Sequence, residues 1–365
     1  LSIFLPKLIQ QVFKTYLGVI TISLAVSITQ PVIAQSRPQK ADPTELITRG
    51  KKLWDAQDIT GALEAYTQAA LVKPRNARIQ ASIGFLLTQQ QRFPEAIAAF
   101  QRATSLDRKD PKPLIALGFV YTQQQQYSQA LTAYRRAIRL DPRNIDAYLS
   151  IGYVLTQQND VFGATAVYRQ LIKLLPNSIR GYLNLGYLLQ KKGNLDGAVI
   201  AYRDASRIDP NNVDVLVALA SASKNNSQES IEIYQKILAL NPRHVKANLE
   251  LAQFARNQGS FDEAISLYRR AASGEIDTNT SVQIQKAIAA VYLRQNNISG
   301  AIVAYRDILS INSEDGSAHF ALGKLLLEQG RKPEAIESLK QSERIFASKG
   351  DTKSLAEVRK LLDRN

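Results

Sequence analysis

Between Pro111 and Asn144 the chain twice lays an apolar stripe along a helix and then stops it. Leu114, Leu117, Gly118 and Tyr121 fall at i, i+3, i+4 and i+7, one face of an amphipathic helix. After the polar run Gln123 to Gln126, Ala130, Tyr134, Ala137 and Ile138 make a second stripe at i, i+4, i+7 and i+8. Asp141 and Pro142 stop the second helix, and Asn144 is placed to accept a hydrogen bond from the free N–H groups that open the next one. Gly118 and Ala130 carry little or no side chain, so the two backbones approach closely, while Tyr134 and Ala137 offer a large-and-small surface to the following helix.

This 34-residue unit recurs in register along the chain. The small residue of the first helix returns as Gly50, Gly84, Gly118, Gly152 and Gly186, then Ala220, Ala252, Ala289 and Gly323. Twelve residues further on in most units stand Ala62, Ala96, Ala130, Ala164, Ala198, Ala264, Ala301 and Ala335. Four beyond those comes an aromatic: Tyr66, Phe100, Tyr134, Tyr168, Tyr202, Tyr268 and Tyr305, with Tyr234 in the matching place of the sixth unit. Pro74, Pro142, Pro176, Pro210 and Pro242 repeat the helix stop.

On these recurring positions the chain resembles the tetratricopeptide repeat (TPR) family. The resemblance implies an all-α fold, a right-handed superhelical solenoid of about nine helix hairpins over residues 44–348, with first helices lining a concave groove and second helices outside. Residues 349–365 contain Thr352 to Leu362, an amphipathic stretch suited to capping the last apolar face. The sixth unit is two residues short between its helices. Three extra residues around Ser273 to Thr280 mark a place for a bend or a change of pitch, and the ninth unit replaces its aromatic with Leu339 and a small residue with Ser342.

Function in this family is usually recognition of another protein through the groove, so the groove positions are the candidate site. One residue after the small position, four successive units place Phe85, Phe119, Tyr153 and Tyr187. Thr88, Thr122, Thr156 and Gln190 follow three residues later, then Gln89, Gln123, Gln157 and Lys191. The TPR pattern turns these positions to the concave side, where rings stack on an extended peptide and the polar groups hydrogen-bond beside it. Trp54, the single tryptophan, extends the strip into the first unit. The competing reading packs the rings between neighbouring first helices. The clamp that grips acidic chaperone tails is not reproduced, because Ala81, Ile115, Leu149 and Leu183 occupy the place three before the small residue and rings the place one after it.

Composition adds limits. At 45% hydrophobic and 21% charged residues the chain is that of a folded protein. Without Cys it has no disulfide and no thiolate site. His244 takes a helix-capping position, and His319 has no second His at ligand spacing. No Gly-rich phosphate loop or isolated carboxylate pair stands out, so neither catalysis nor a cofactor is expected. The net charge of +14 favours acidic partners or anionic surfaces as a long-range bias, against the plainer reading that scattered Lys and Arg simply cover the outer helix faces. The arginines near the ends of the second helices, among them Arg102, Arg135, Arg136, Arg139 and Arg169, and the candidate groove rings of the first belong to different helices, which argues against nucleic acid.

Residues 1–34 differ from the rest. Lys7 and Lys14 precede the apolar run Leu17 to Ile28, and Val32 and Ala34 stand before a plausible cut at Gln35. This pattern predicts an export signal peptide, followed by a polar linker over residues 35–43, and hence a periplasmic or secreted protein. The alternative is an uncleaved membrane anchor over residues 16–34. The leading expectation is an interaction scaffold that holds an extended segment of a partner protein in envelope assembly or biogenesis. An envelope glycan-binding protein and a non-catalytic recruiting subunit of an enzyme complex are the alternatives.

Overall fold

The computed structural model describes residues 42–223 and 227–364, which form nineteen α-helices and no strand. The expected leader at residues 1–34 and nearly all of the 35–43 linker lie outside the described residues. No helix among the described residues is long and apolar enough to cross a membrane.

Two compact units divide the chain, Leu1–Gly193 and Asn194–Asn365. In the first, four hairpins follow one another: α1 (Pro43–Asp55) with α2 (Ile59–Val72), α3 (Ala77–Gln89) with α4 (Phe93–Leu106), α5 (Lys112–Gln123) with α6 (Tyr127–Leu140), and α7 (Ile145–Gln157) with α8 (Val161–Leu174). Helix α9 (Ile179–Lys191) closes this unit. Each second helix packs on the first helix of the next hairpin, and α3, α5, α7 and α9 also touch in succession. The second unit begins with α10 (Leu195–Ile208) and continues with α11 (Val213–Ala222) and α12 (Ser227–Leu240), then α13 (Val245–Asn257) and α14 (Phe261–Ala272). Helices α15 (Thr278–Arg294) and α16 (Ile298–Ile311), α17 (Gly316–Glu328) and α18 (Lys332–Ser348), and finally α19 (Thr352–Leu362) complete it.

Packing follows the recurring small and large residues. All eight alanines of the second-helix register are fully buried. At Gly118 a Cβ would stand 2.7 Å from the Tyr134 ring, so only glycine lets that ring lie flat on the α5 backbone. The Asp141–Asn144 connection shows how the stop works. Asp141 accepts from the Arg143 N–H at 3.1 Å, and the Asn144 side chain accepts from the Ala147 N–H at 3.0 Å, capping α7. In the opposite turns Gln57, Gln91, Gln125 and Asn159 hold a left-handed backbone, with φ between 55 and 63°.

Departures from the repeat are repaired locally. Ser230, standing where other units have alanine, is fully buried and donates its hydroxyl to the Ala220 carbonyl at 3.0 Å. The extra residues near Ser273 appear as an early end to α14 and a lengthened, 17-residue α15 whose start Asp277 caps through Thr280. Leu339 fills the aromatic place against Gly323, and the Ser342 hydroxyl donates to the Gly316 carbonyl at 2.8 Å. Val358 of α19 is buried with Leu339 and Phe346, so α19 covers the apolar end of the last hairpin.

Candidate functional site

The first helices α3, α5, α7 and α9 form the layer on which the candidate residues fall. Four residues after the small position, a side chain shares the face of the glycine and turns toward the second helix. Thr88 and Thr122 are accordingly buried, Thr156 is half-buried, and their hydroxyls donate at 2.8 Å to the carbonyls of Gly84, Gly118 and Gly152. Burial pushes the Tyr134 phenol up to about 12, partly offset by hydrogen bonds with the Thr122 and Ser150 side chains. The threonines therefore belong to the hairpin interior, which corrects the expectation that they line a ligand surface.

The four rings divide. Phe85 is only 3% exposed and meets Phe100 edge-on, with centroids 5.1 Å apart and planes at 82°. It is core, and the expectation of a ligand contact there is withdrawn. Phe119 and Tyr153 are half-buried, while Tyr187 is 43% exposed. Burial raises the Tyr153 phenol above its ordinary range, with a smaller push from Tyr127. Trp54 is half-buried against the cores of the first two hairpins, alongside Leu63 and Ile83, and serves packing.

Gln89, Gln123, Gln157 and Lys191 are exposed, one to a helix, and Gln190 is half-buried. The structure thus brings together a layer of part-exposed rings bordered by amides. Sequence reasoning missed one member. Arg180 of α9 donates to Asp146 of α7 at 2.7 Å, tying two of these helices together. The signal was present, since opposite charges 34 residues apart occupy equivalent positions of adjacent first helices.

Such a surface can stack on planar groups and exchange hydrogen bonds with a backbone. The two histidines are tied into structure. His244 Nδ1 accepts from the Ala247 N–H at 3.2 Å, and His319 lies 3.1 Å from the Ser313 carbonyl and 3.4 Å from the Ser338 hydroxyl. Among the described residues no group of three His, Asp or Glu converges as a metal site.

Family models described as tetratricopeptide repeat match residues 47–111, 179–212, 218–279 and 286–349, and one described as TPR repeat matches 118–159 and 152–193. The chain belongs to the tetratricopeptide repeat family. Proteins of this family are typically non-catalytic scaffolds that bind other proteins. Among curated protein sequences none matches. Solved structures similar to this TPR chain include MamA, at 24% identity with a TM-score of 0.42 over 47% of this chain and 94% of that one. YrrB, described as a TPR protein with an unusual peptide-binding site, has 23% identity and a TM-score of 0.38 over 51% of this chain and 96% of that one. A tetratricopeptide repeat protein from Parabacteroides merdae has 17% identity and a TM-score of 0.45 over 78% of this chain and 98% of that one.

Proposed function

We propose that this TPR protein is a non-catalytic scaffold that holds an extended segment of a partner protein against α5, α7 and α9. The observation that carries the reading is the register of part-exposed rings, Phe119, Tyr153 and Tyr187, each flanked by an exposed Gln or Lys one turn on. Rings stack on side chains of any sequence, and carboxamides both donate to and accept from a peptide backbone, so the layer suits a strand-like ligand. The basic, apolar leader over residues 1–34 supports export, and with it a role in envelope assembly or biogenesis.

The test uses exposed positions, so that folding is not the readout. A photo-crosslinking amino acid at Gln123 or Gln157 in the full chain, expressed in its own cells, is expected to capture the same defined protein from both positions. Tyr187→Ala is expected to weaken that capture about tenfold while leaving the melting temperature within a degree or two. Crosslinks confined to cell-wall glycan, or no loss with Tyr187→Ala, would overturn the reading.

A further inference from the structure

Antiparallel hairpins stacked in register put every second-to-first-helix connection at one edge of a unit and every first-to-second turn at the other. In the first unit the connection edge is basic. Its four connections with the helix starts that follow, residues 73–78, 107–112, 141–146 and 175–180, hold eight Lys or Arg against four Asp. The opposite turns, residues 55–60, 89–94, 123–128 and 157–162, hold one Arg against three Asp. Corresponding connections of the second unit, residues 209–214, 241–246, 273–280 and 312–317, hold two Lys or Arg against six Asp or Glu. Solubility and helix dipoles act on both units alike, so neither accounts for the contrast.

The excess stands in register. Arg75, Lys109 and Arg143 are 34 residues apart, exposed, and central to three successive connections. Arg78 lies in the first turn of α3, which has no acidic residue, so its charge opposes the helix dipole and folding gains nothing from it. The carboxylates nearby are engaged by local hydrogen bonds, although Asp107 itself remains exposed, and Asp110 accepts from the Lys112 N–H at 3.0 Å. Asp107 and Asp141 accept from the backbone N–H groups of Lys109 and Arg143, and Asp146 from Arg180. Beside the cations Val72, Leu106, Leu140 and Leu174 each leave an aliphatic side chain part-exposed, one to a repeat. An open concavity of about 750 Å³ runs between the 73–78 connection and Leu106 and Asp107, three cations against one carboxylate.

We propose that this edge binds an extended, Asp/Glu-rich segment of a partner protein with aliphatic side chains between its carboxylates. Touching helices lie about 8–10 Å apart and an extended chain advances about 3.3 Å per residue, so roughly every third residue meets a connection. A segment of about ten to twelve residues spans the four. The connections contain no aromatic residue, so they offer neither the interfacial anchors of a membrane surface nor the stacking groups of a single-stranded nucleic acid site. The edge meets the ring-bearing helices at the Arg180–Asp146 pair but includes none of the rings, and it does not depend on their role.

The experiment measures fluorescence anisotropy of a labelled twelve-residue peptide of repeated Glu-Ser-Leu with the full chain. Parallel arms use the Lys-Ser-Leu counterpart, a twelve-nucleotide single strand of DNA, and vesicles rich in phosphatidylglycerol. Saturable binding of the acidic peptide that weakens as salt rises is expected. The triple variant Arg75→Glu, Lys109→Glu, Arg143→Glu should weaken it about tenfold or more, and the outer-helix triple Arg102→Glu, Arg135→Glu, Arg169→Glu less than about twofold. Equal losses from the two triples would reduce the effect to net charge and overturn the proposal. So would absent peptide binding, stronger binding of DNA or vesicles, or a self-association in sedimentation that the edge triple abolishes.

Discussion

Gly118 and Tyr134 show how one residue's absence of a side chain places another residue's ring. With a Cβ 2.7 Å from Tyr134, Gly118→Ala must push the ring or the helix aside, and the expected loss is about 1–3 kcal/mol by urea denaturation. Tyr134 also carries a pH signature. Its folded value of about 12 stands above the ordinary phenol value of about 10, so the folded state keeps a proton that the unfolded state releases. Its contribution is intact below about pH 10 and falls away as pH rises toward 12, and Tyr134→Phe is expected to flatten that part of the stability profile. The glycine, alanine and tyrosine roles were legible in the sequence because they recur every 34 residues. The threonine role was misread, because recurrence reveals that a position matters but not which way it points. Thr122 faces inward through the same four-residue spacing that brings it over Gly118.

At the scale of elements, each hairpin whose turn lies among the described residues needs a residue with positive φ where its first helix ends. Gly193 meets the need with φ of 81° and nothing within 4 Å of an added Cβ, while Gln125 meets it with φ of 55° and a side chain that disfavours the conformation. Gly193→Ala is therefore expected to cost about 1 kcal/mol although space is free, and Gln125→Gly to gain up to about 1 kcal/mol. Thermal melts of the two variants against the parent check the opposite signs. Element boundaries were readable from Pro, Asp and Asn stops. The lengthened start of α15 was not, since its added residues looked like a plain insertion until Asp277 was seen capping a helix.

For the whole molecule, charge separates what the repeat makes uniform. Residues 42–193 hold 20 Lys or Arg against 11 Asp or Glu, and residues 194–365 hold 22 against 21. Like-charge repulsion in the first unit is screened by salt, whereas balanced ion pairs such as Arg203–Glu229 and Arg306–Glu334 in the second lose attraction. Raising ionic strength from about 20 to 200 mM is expected to increase hydrogen-exchange protection of α3 to α8 and to leave α13 to α18 unchanged or lower. An equal response in both units would contradict this. The sequence by itself determined the repeat, its hairpins and its packing residues, because small and large side chains at a fixed period admit few ways to stack helices. Tertiary structure alone decided which candidate side chains are surface. Phe85 and Tyr187 occupy the same register, yet one is sealed against Phe100 and the other stands open, since burial depends on neighbours from other helices that no local spacing records.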